Sequence, residues 1–398
     1  MRFLLFFTVF SNIFVSFSCK NPKTDNSKKS FEKPSVTVQK LDAENNENLF
    51  EQILCNDSTN NNLIVFIDPH GDGKFVLNKV EKISKNLNSN IIFLNNVKNG
   101  DNQFVSHITE SIEKYIKTNN KTIENLYLIG FSGGARMAFQ YALNNKTNGV
   151  VMCGAGIGAN IEKKLPFPLV LISGFNDFNF IEQYYSPFSQ VSKNKNVISI
   201  FFDGKHKWAN NDLILQAINF LKVKNNDIYS KKQFNLSDLM NNFNDYKKHQ
   251  NTFLAFKEIE FANKIFDNNI TNTAINNFLK TQELSNFVKT FELFLAKEQE
   301  KNNELASNLE IKNWNWWEKQ ISEIDYNIKN TKQNLETNSL HRTKAFLGML
   351  MYSVVSKEIE ITNSQNIDKY LKIYEKLEPQ NADMLKFKDI YINSKTNN

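Results

Sequence analysis

The chain has 398 residues, enough for two domains or for one with a large appendage, and its 41% hydrophobic and 13% aromatic content suffices for a real core. A net charge of +6 is small for that length, and lysine is scattered among asparagine and glutamate with no basic stripe. Nucleic acid, whose backbone is bound through clustered Lys and Arg, is therefore excluded as the expected partner.

The first segment reads as an export signal. Met1 and Arg2 supply a short positive start, and residues 3–17 form an apolar run broken only by small or polar residues. Ser16-Phe17-Ser18-Cys19 closes it, and a polar tract follows at 20–29. A small residue before a cysteine at this place resembles a bacterial lipoprotein cleavage site, with Ser16 where Leu is usual. The resemblance implies a lipid on Cys19 and membrane attachment through it, with an ordinary cleaved signal or an uncleaved anchor as the alternatives. Lys20 after the cysteine, with no Asp there, resembles lipoproteins sent on to an outer membrane, so the cell envelope is the expected location. The apolar run is short for a membrane span, and no later segment is apolar enough to cross a bilayer. The expected divisions are a signal at 1–18, a tether at 19–46 containing Pro22 and Pro34, an α/β domain at 47–224 and a helical domain at 225–398.

Within the α/β region, apolar runs at 63–67, 91–94, 126–129, 150–152, 169–172 and 197–202 read as strands. Helical patterns lie between most of them. Phe104, Val105, Ile108, Ile112, Tyr115 and Ile116 share one helix face, with Asp101 or Asn102 as the expected cap. Continuous β-branched strands separated by helices predict a mostly parallel sheet covered on both sides. A last helix is expected over 211–222. Cys55 precedes the strand at 63–67 and Cys153 ends the strand at 150–152. Those positions lie at opposite edges of such a sheet, beyond the ~7 Å reach of a disulfide, so both thiols are expected free.

After Lys224-Asn225-Asn226-Asp227 no convincing strand occurs. Helical patterns cover 253–262, 291–296, 314–328 and 342–358, the last apolar almost all round and expected to be buried in its own bundle. The segment from Tyr370 to Pro379, followed by Asn381-Ala382-Asp383-Met384, resembles part of a tetratricopeptide repeat, but one unit is too few for a solenoid. Trp314, Trp316 and Trp317 read as helix packing, with an aromatic platform for a sugar or polymer, or a flap over the serine pocket, as the alternative.

The chemistry concentrates at Gly130-Phe131-Ser132-Gly133-Gly134, which is G-x-S-x-G between an apolar strand and a small-residue helix. In that context the serine sits on a tight turn at the top of a sheet, and the glycines let the helix pack close. A nucleophilic serine needs a base and an acid to orient that base. Asp177, after the strand at 169–172, is the candidate acid, and the rival reading is a turn Asp that stabilises its own loop. His206, after the strand at 197–202 and preceded by Gly204, is the candidate base. Asp203 is a rival for the acid, but it stands so close in sequence to His206 that it is read as fixing the turn; His107 lies within a helix and His249 and His341 in the helical half, where they read as surface or packing residues. His70-Gly71-Asp72, directly after the first strand, can aim backbone N–H groups at an oxyanion together with the N–H of Gly133. The same loop lacks the G-x-x-x-x-G-K-[ST] spacing of a phosphate cradle. His70 and Asp72 have no third candidate beside them for a metal, and no cofactor is expected.

These four elements together resemble the α/β-hydrolase superfamily over residues 63–222. Gly130–Ala138 and Asp203–Trp208 look closest to its small dienelactone-hydrolase and polyhydroxyalkanoate-depolymerase or feruloyl-esterase-like group. The resemblance implies a minimal α/β-hydrolase core, with Ser132, Asp177 and His206 as a triad in the family's chain order, and His70-Gly71 as its oxyanion loop. The early strands of the family are hard to find before Leu63, and the segment from Cys153 to Leu165 is too short for a large lid. The expected function is hydrolysis of a small-molecule or polymer ester through an acyl-enzyme. The alternatives are a peptidase of the same fold and a non-catalytic envelope scaffold that binds a protein partner through its helical half.

Overall fold

A computed structural model describes residues 48–55, 57, 59–157, 165–182, 194–331, 334–359 and 366–396. The expected export signal, Cys19 and the tether lie outside these residues. Seven strands form one sheet: β1 (Phe50–Ile53), β2 (Asn62–Ile67), β3 (Asn90–Leu94), β4 (Asn125–Phe131), β5 (Gly149–Cys153), β6 (Leu169–Gly174) and β7 (Val197–Phe202). Their order is β1-β3-β2-β4-β5-β6-β7, and every pair is parallel except β1 with β3. The six parallel strands are those expected. β1 was not: Glu51 and Gln52 interrupt its apolar pattern, although Gln52 is buried along with Phe50 and Ile53.

Both faces of the sheet are covered. Leu63, Val65 and Ile67 of β2 belong to one apolar cluster with α3 (Phe104–Asn119) and α4 (Gly133–Asn144). Ile64 and Phe66 point the other way, into a cluster with α1 (Gly73–Val80), the end of the short α2 (Ser84–Leu87) and α5 (Asn211–Lys224). That two-sided burial is what a run with no polar position demands. α3 begins at Phe104 without a side-chain cap. Asp101, expected to cap it, instead accepts from the Gln103 N–H and meets His107 Nδ1, each at 2.8 Å. β3 and β4 flank β2 on opposite sides, so the connections after β2 and β4 diverge at their carboxyl ends. In parallel α/β sheets that divergence opens the crevice where ligands bind.

After β7 the described chain is helical: α6 (Ile228–Lys232), α7 (Leu236–Lys248), α8 (Thr252–Phe266), α9 (Asn269–Leu279), α10 (Gln282–Ser307), α11 (Trp314–Asn330), α12 (Asn334–Glu358), α13 (Ile367–Leu377) and α14 (Ala382–Thr396). The chain divides into two compact units between Val288 and Lys289, inside α10, and not at the expected 224/225. Among the described residues, one unit holds 48–175 and 179–288, the other 289–396 with 176–178. The reason lies in α7 and α8. Leu239, Phe243, Phe256 and Ile259 share a core with Val170 and Ile198 of the sheet. Lys264 donates to the carbonyl of Val197 in β7, while Glu260 is bonded by both Lys257 and Lys264. The change from strands to helices at Lys224 is thus a change of element type within one core.

The second unit has its own core of Trp317, Ile321, Leu347, Met351, Val355, Tyr370, Ile373 and Tyr374. Trp317 is fully buried there, and Trp314 and Trp316 pack against the same cluster, as helix packing requires. A buried pair, Arg342 with Glu298, joins α12 to α10 through bonds of 2.6 and 2.9 Å. Among the described residues no helix is long and apolar enough to cross a membrane.

Lys222 ties α5 to the segment after α1. Its buried ammonium donates to the Leu87 carbonyl and, at 2.9 Å, to Ser89 Oγ. Burial pulls its pKa down from 10.5 to about 8. Because the folded value is depressed, protonated Lys222 opposes folding at neutral pH, and that penalty is relieved as pH rises from about 8 to about 10.5. Relative to Lys222→Met, the wild type should gain up to about 3 kcal/mol across this window in urea unfolding.

Candidate active site

Ser132 occupies the turn between β4 and α4 with φ 52° and ψ −119°, a backbone region that L side chains rarely adopt. Its N–H donates to the Cys153 carbonyl at the end of β5 (2.8 Å), and its carbonyl accepts from Ala135 and Arg136 in the first turn of α4. The flanking glycines are required by close approach. A Cβ on Gly130 would lie 2.3 Å from the Gly134 carbonyl oxygen, and one on Gly134 would lie 2.2 Å from that of Ile67 in β2. The helix can therefore start directly over the strand that delivers Ser132.

His206, in the turn after β7, lies with Nε2 3.1 Å from Ser132 Oγ. Its ring packs on Phe131 at a centroid separation of 4.7 Å. Three strand spacings separate β7 from β4, roughly 14 Å, so the turn carries His206 back across the carboxyl ends of β6 and β5. Asp177 follows β6 by three residues and is 1% exposed; β6 pairs with β7 up to Gly174 opposite Phe202. Asp203 is exposed in the turn before His206, as a turn residue would be.

The loop after β2 behaves differently from expectation. Gly71 has φ +68°, and the N–H groups of both His70 and Gly71 are committed: His70 N–H donates to Asp68 Oδ1 (2.9 Å) and Gly71 N–H to the Asp68 carbonyl (3.1 Å). Asp72 caps α1 by accepting from the Phe75 N–H at 2.8 Å. Among the described residues the N–H groups of Asp72 and Gly133 donate to no backbone carbonyl, and neither does that of Gly134. His70 and Gly71 shape the loop and do not supply its free N–H.

Three residues of the site carried no assigned role from sequence. Asp68, 3% exposed, accepts from the Trp208 indole at 2.9 Å and meets His70 Nδ1 at 2.9 Å. Trp208 stands two residues after His206. The only signal for this pair was an acid ending an apolar strand and an aromatic beside the candidate base. Asn99, in the loop after β3, sits so close to Gly133 that a Cβ there would meet its side-chain oxygen at 1.7 Å. Nothing local in the sequence marks it. Cys153 is buried behind Ser132, and burial pushes its thiol up to about 12, so it stays protonated; both Cys153 and Cys55 are free.

No family model matches the chain, and no curated protein matches it. Among solved structures it is similar to the serine hydrolase FphF of Staphylococcus aureus, at 14% identity and a TM-score of 0.36, over 43% of this chain and 91% of that one. It is also similar to a monoacylglycerol lipase of Paleococcus ferrophilus (12% identity, TM-score 0.31, 40% and 93% covered). A third is an esterase of Pyrococcus furiosus (13%, 0.33, 44% and 86%). The chemistry of the site rests on its own geometry.

The backbone at Ser132 has a measurable consequence. Ser132→Gly and Ser132→Ala both remove the hydroxyl, but only glycine relieves the positive φ. Ser132→Gly should unfold in urea with about 1 kcal/mol more stability than Ser132→Ala.

Proposed function

We propose that the chain is a serine hydrolase of the α/β-hydrolase type that cleaves carboxylic esters through an acyl-enzyme. The observation that carries this reading is the 3.1 Å approach of His206 Nε2 to the Oγ of a serine held at positive φ between a strand and a helix. That is the relation a nucleophile has to its general base. The chain order Ser132, Asp177, His206 and the position of each after its own strand support it.

In this reading Ser132 Oγ attacks the ester carbonyl while His206 Nε2 takes its proton. Asp177 holds the imidazole with its other nitrogen protonated and stabilises the imidazolium that forms. The N–H groups of Gly133 and Asp72 receive the negative charge that develops on the carbonyl oxygen. His206 then returns the proton to the departing alkoxide, and the alcohol leaves. Water, deprotonated by the same imidazole, frees Ser132 from the acyl group. An ester is favoured over a peptide because an alkoxide needs less help to depart than an amine. Read with the first 19 residues, the enzyme belongs to the cell envelope and is anchored by a lipid on Cys19.

Hydrolysis of p-nitrophenyl esters of graded chain length tests this reading. Ser132→Ala and His206→Ala should each lower kcat by at least ~10³-fold, and Asp177→Asn by ~10³–10⁴-fold with KM little changed. A Ser132→Ala protein that hydrolyses these esters at the wild-type rate would overturn it.

A further inference from the structure

Asp68 is the point where two separate parts of the site meet. It follows β2 directly, and Ile67, the residue before it, pairs with Gly130 of β4. Its carboxylate is buried, and a buried carboxylate is retained where its oxygens are well bonded. One oxygen, Oδ1, meets both the N–H and the Nδ1 of His70 at 2.9 Å; the other, Oδ2, accepts from Trp208 Nε1 at 2.9 Å. The Asp68 carbonyl also accepts from Gly71, so one residue sets the course of the loop that leads to the Asp72 amide.

The other end of this contact lies 140 residues away in sequence, in the turn after β7. β7 stands four strand positions from β2, roughly 19 Å along the sheet edge. The turn that carries His206 must cover most of that distance. Trp208 anchors its far end: the indole is buried, packs on Phe131 at 5.5 Å and on Phe66 at 6.2 Å, and gives its single N–H to Asp68. Phe131 in turn carries the His206 ring on its face. Asp68, Trp208, Phe131 and His206 thus form a continuous series of contacts from the oxyanion loop to the base.

We infer that Asp68 is a positioning residue: through Trp208 it fixes the His206 turn over Ser132, and through His70 and Gly71 it fixes the loop that presents the Asp72 amide. One carboxylate thereby sets the distance between base and oxyanion donor. The inference rests on the serine-hydrolase reading for its catalytic consequence, but the coupling of the two loops stands on the contacts alone. Misplacing a catalytic group by about 1 Å can cost ~10²-fold in rate, so a fall in kcat is the expected signature.

The test uses the full chain with Asp68→Asn, Trp208→Phe and the double variant. Amide hydrogen exchange is followed over residues 68–73 and 203–209, and hydrolysis of p-nitrophenyl acetate in parallel. Each single variant should speed exchange in both loops, including the one it does not alter. Each should lower kcat by ~10-fold or more with KM within about twofold of wild type, and the double variant should be no worse than the poorer single one. Trp208→Phe keeps an aromatic ring beside Phe131 while it removes the indole N–H and part of the packing, so it gives a second reading of the contact where Asp68→Asn folds poorly. Unchanged exchange in the distant loop, or wild-type kcat in Trp208→Phe, would overturn the inference. A wild-type protein that hydrolyses no ester would instead overturn the serine-hydrolase reading, and hydrogen exchange would still decide whether Asp68 couples the loops.

Discussion

The site depends on one strained peptide unit. Ser132 is held at φ 52°, a conformation that costs a non-glycine residue about 1–3 kcal/mol, and the surrounding structure keeps it there. The end of β5 takes its N–H, the first turn of α4 bonds its carbonyl, and Gly130 and Gly134 permit the backbone approaches that such a turn creates. The strain is offset by the burial of β2, β4, β5 and β6, whose hydrophobic side chains are almost wholly out of solvent on both faces of the sheet. In return, Oγ projects at the head of α4, beside a free amide at Gly133 and in the crevice between β2 and β4.

Reach is the second constraint. A parallel sheet delivers its loops one strand spacing apart, so chemistry that needs groups within hydrogen-bond distance must bring distant turns together over the carboxyl edge. The His206 turn does so by lying across β6 and β5, with its ring on Phe131 and the following Trp208 driven into the core beyond. The loop after β2 is drawn to the same place by Asp68, and its Pro69 carbonyl accepts from the Asn99 N–H at 2.8 Å, which brings the loop after β3 alongside Gly133. Three segments far apart in sequence thus converge on the Ser132 turn.

Much of this was legible in the sequence because its signals are local. Six strands announced themselves as uninterrupted apolar runs, and the serine turn as a motif whose glycines have a steric purpose. His206 could be singled out because it follows a strand, and the fold brings its ring to Ser132. What escaped was non-local. β1 is four residues long, two of them polar, and borrows its stability from β3, so it carries little pattern. The join at Lys224-Asn225-Asn226-Asp227 has the composition of a linker, yet α7 and α8 complete the core around β7, a pairing no window of sequence contains. The commitment of the His70 and Gly71 amides to Asp68, and the presence of Asn99 against Gly133, arise only when the loops are folded together.

The central claim is that Ser132 is a nucleophile activated by His206. Fluorophosphonate labelling followed by mass analysis of the peptide containing Ser132 tests it most directly. The wild type should carry a single covalent adduct on Ser132 Oγ, and His206→Ala, with the hydroxyl intact but the base removed, should label far more slowly. An unmodified Ser132 in the folded wild type, or equal labelling of the wild type and Ser132→Ala, would contradict the claim.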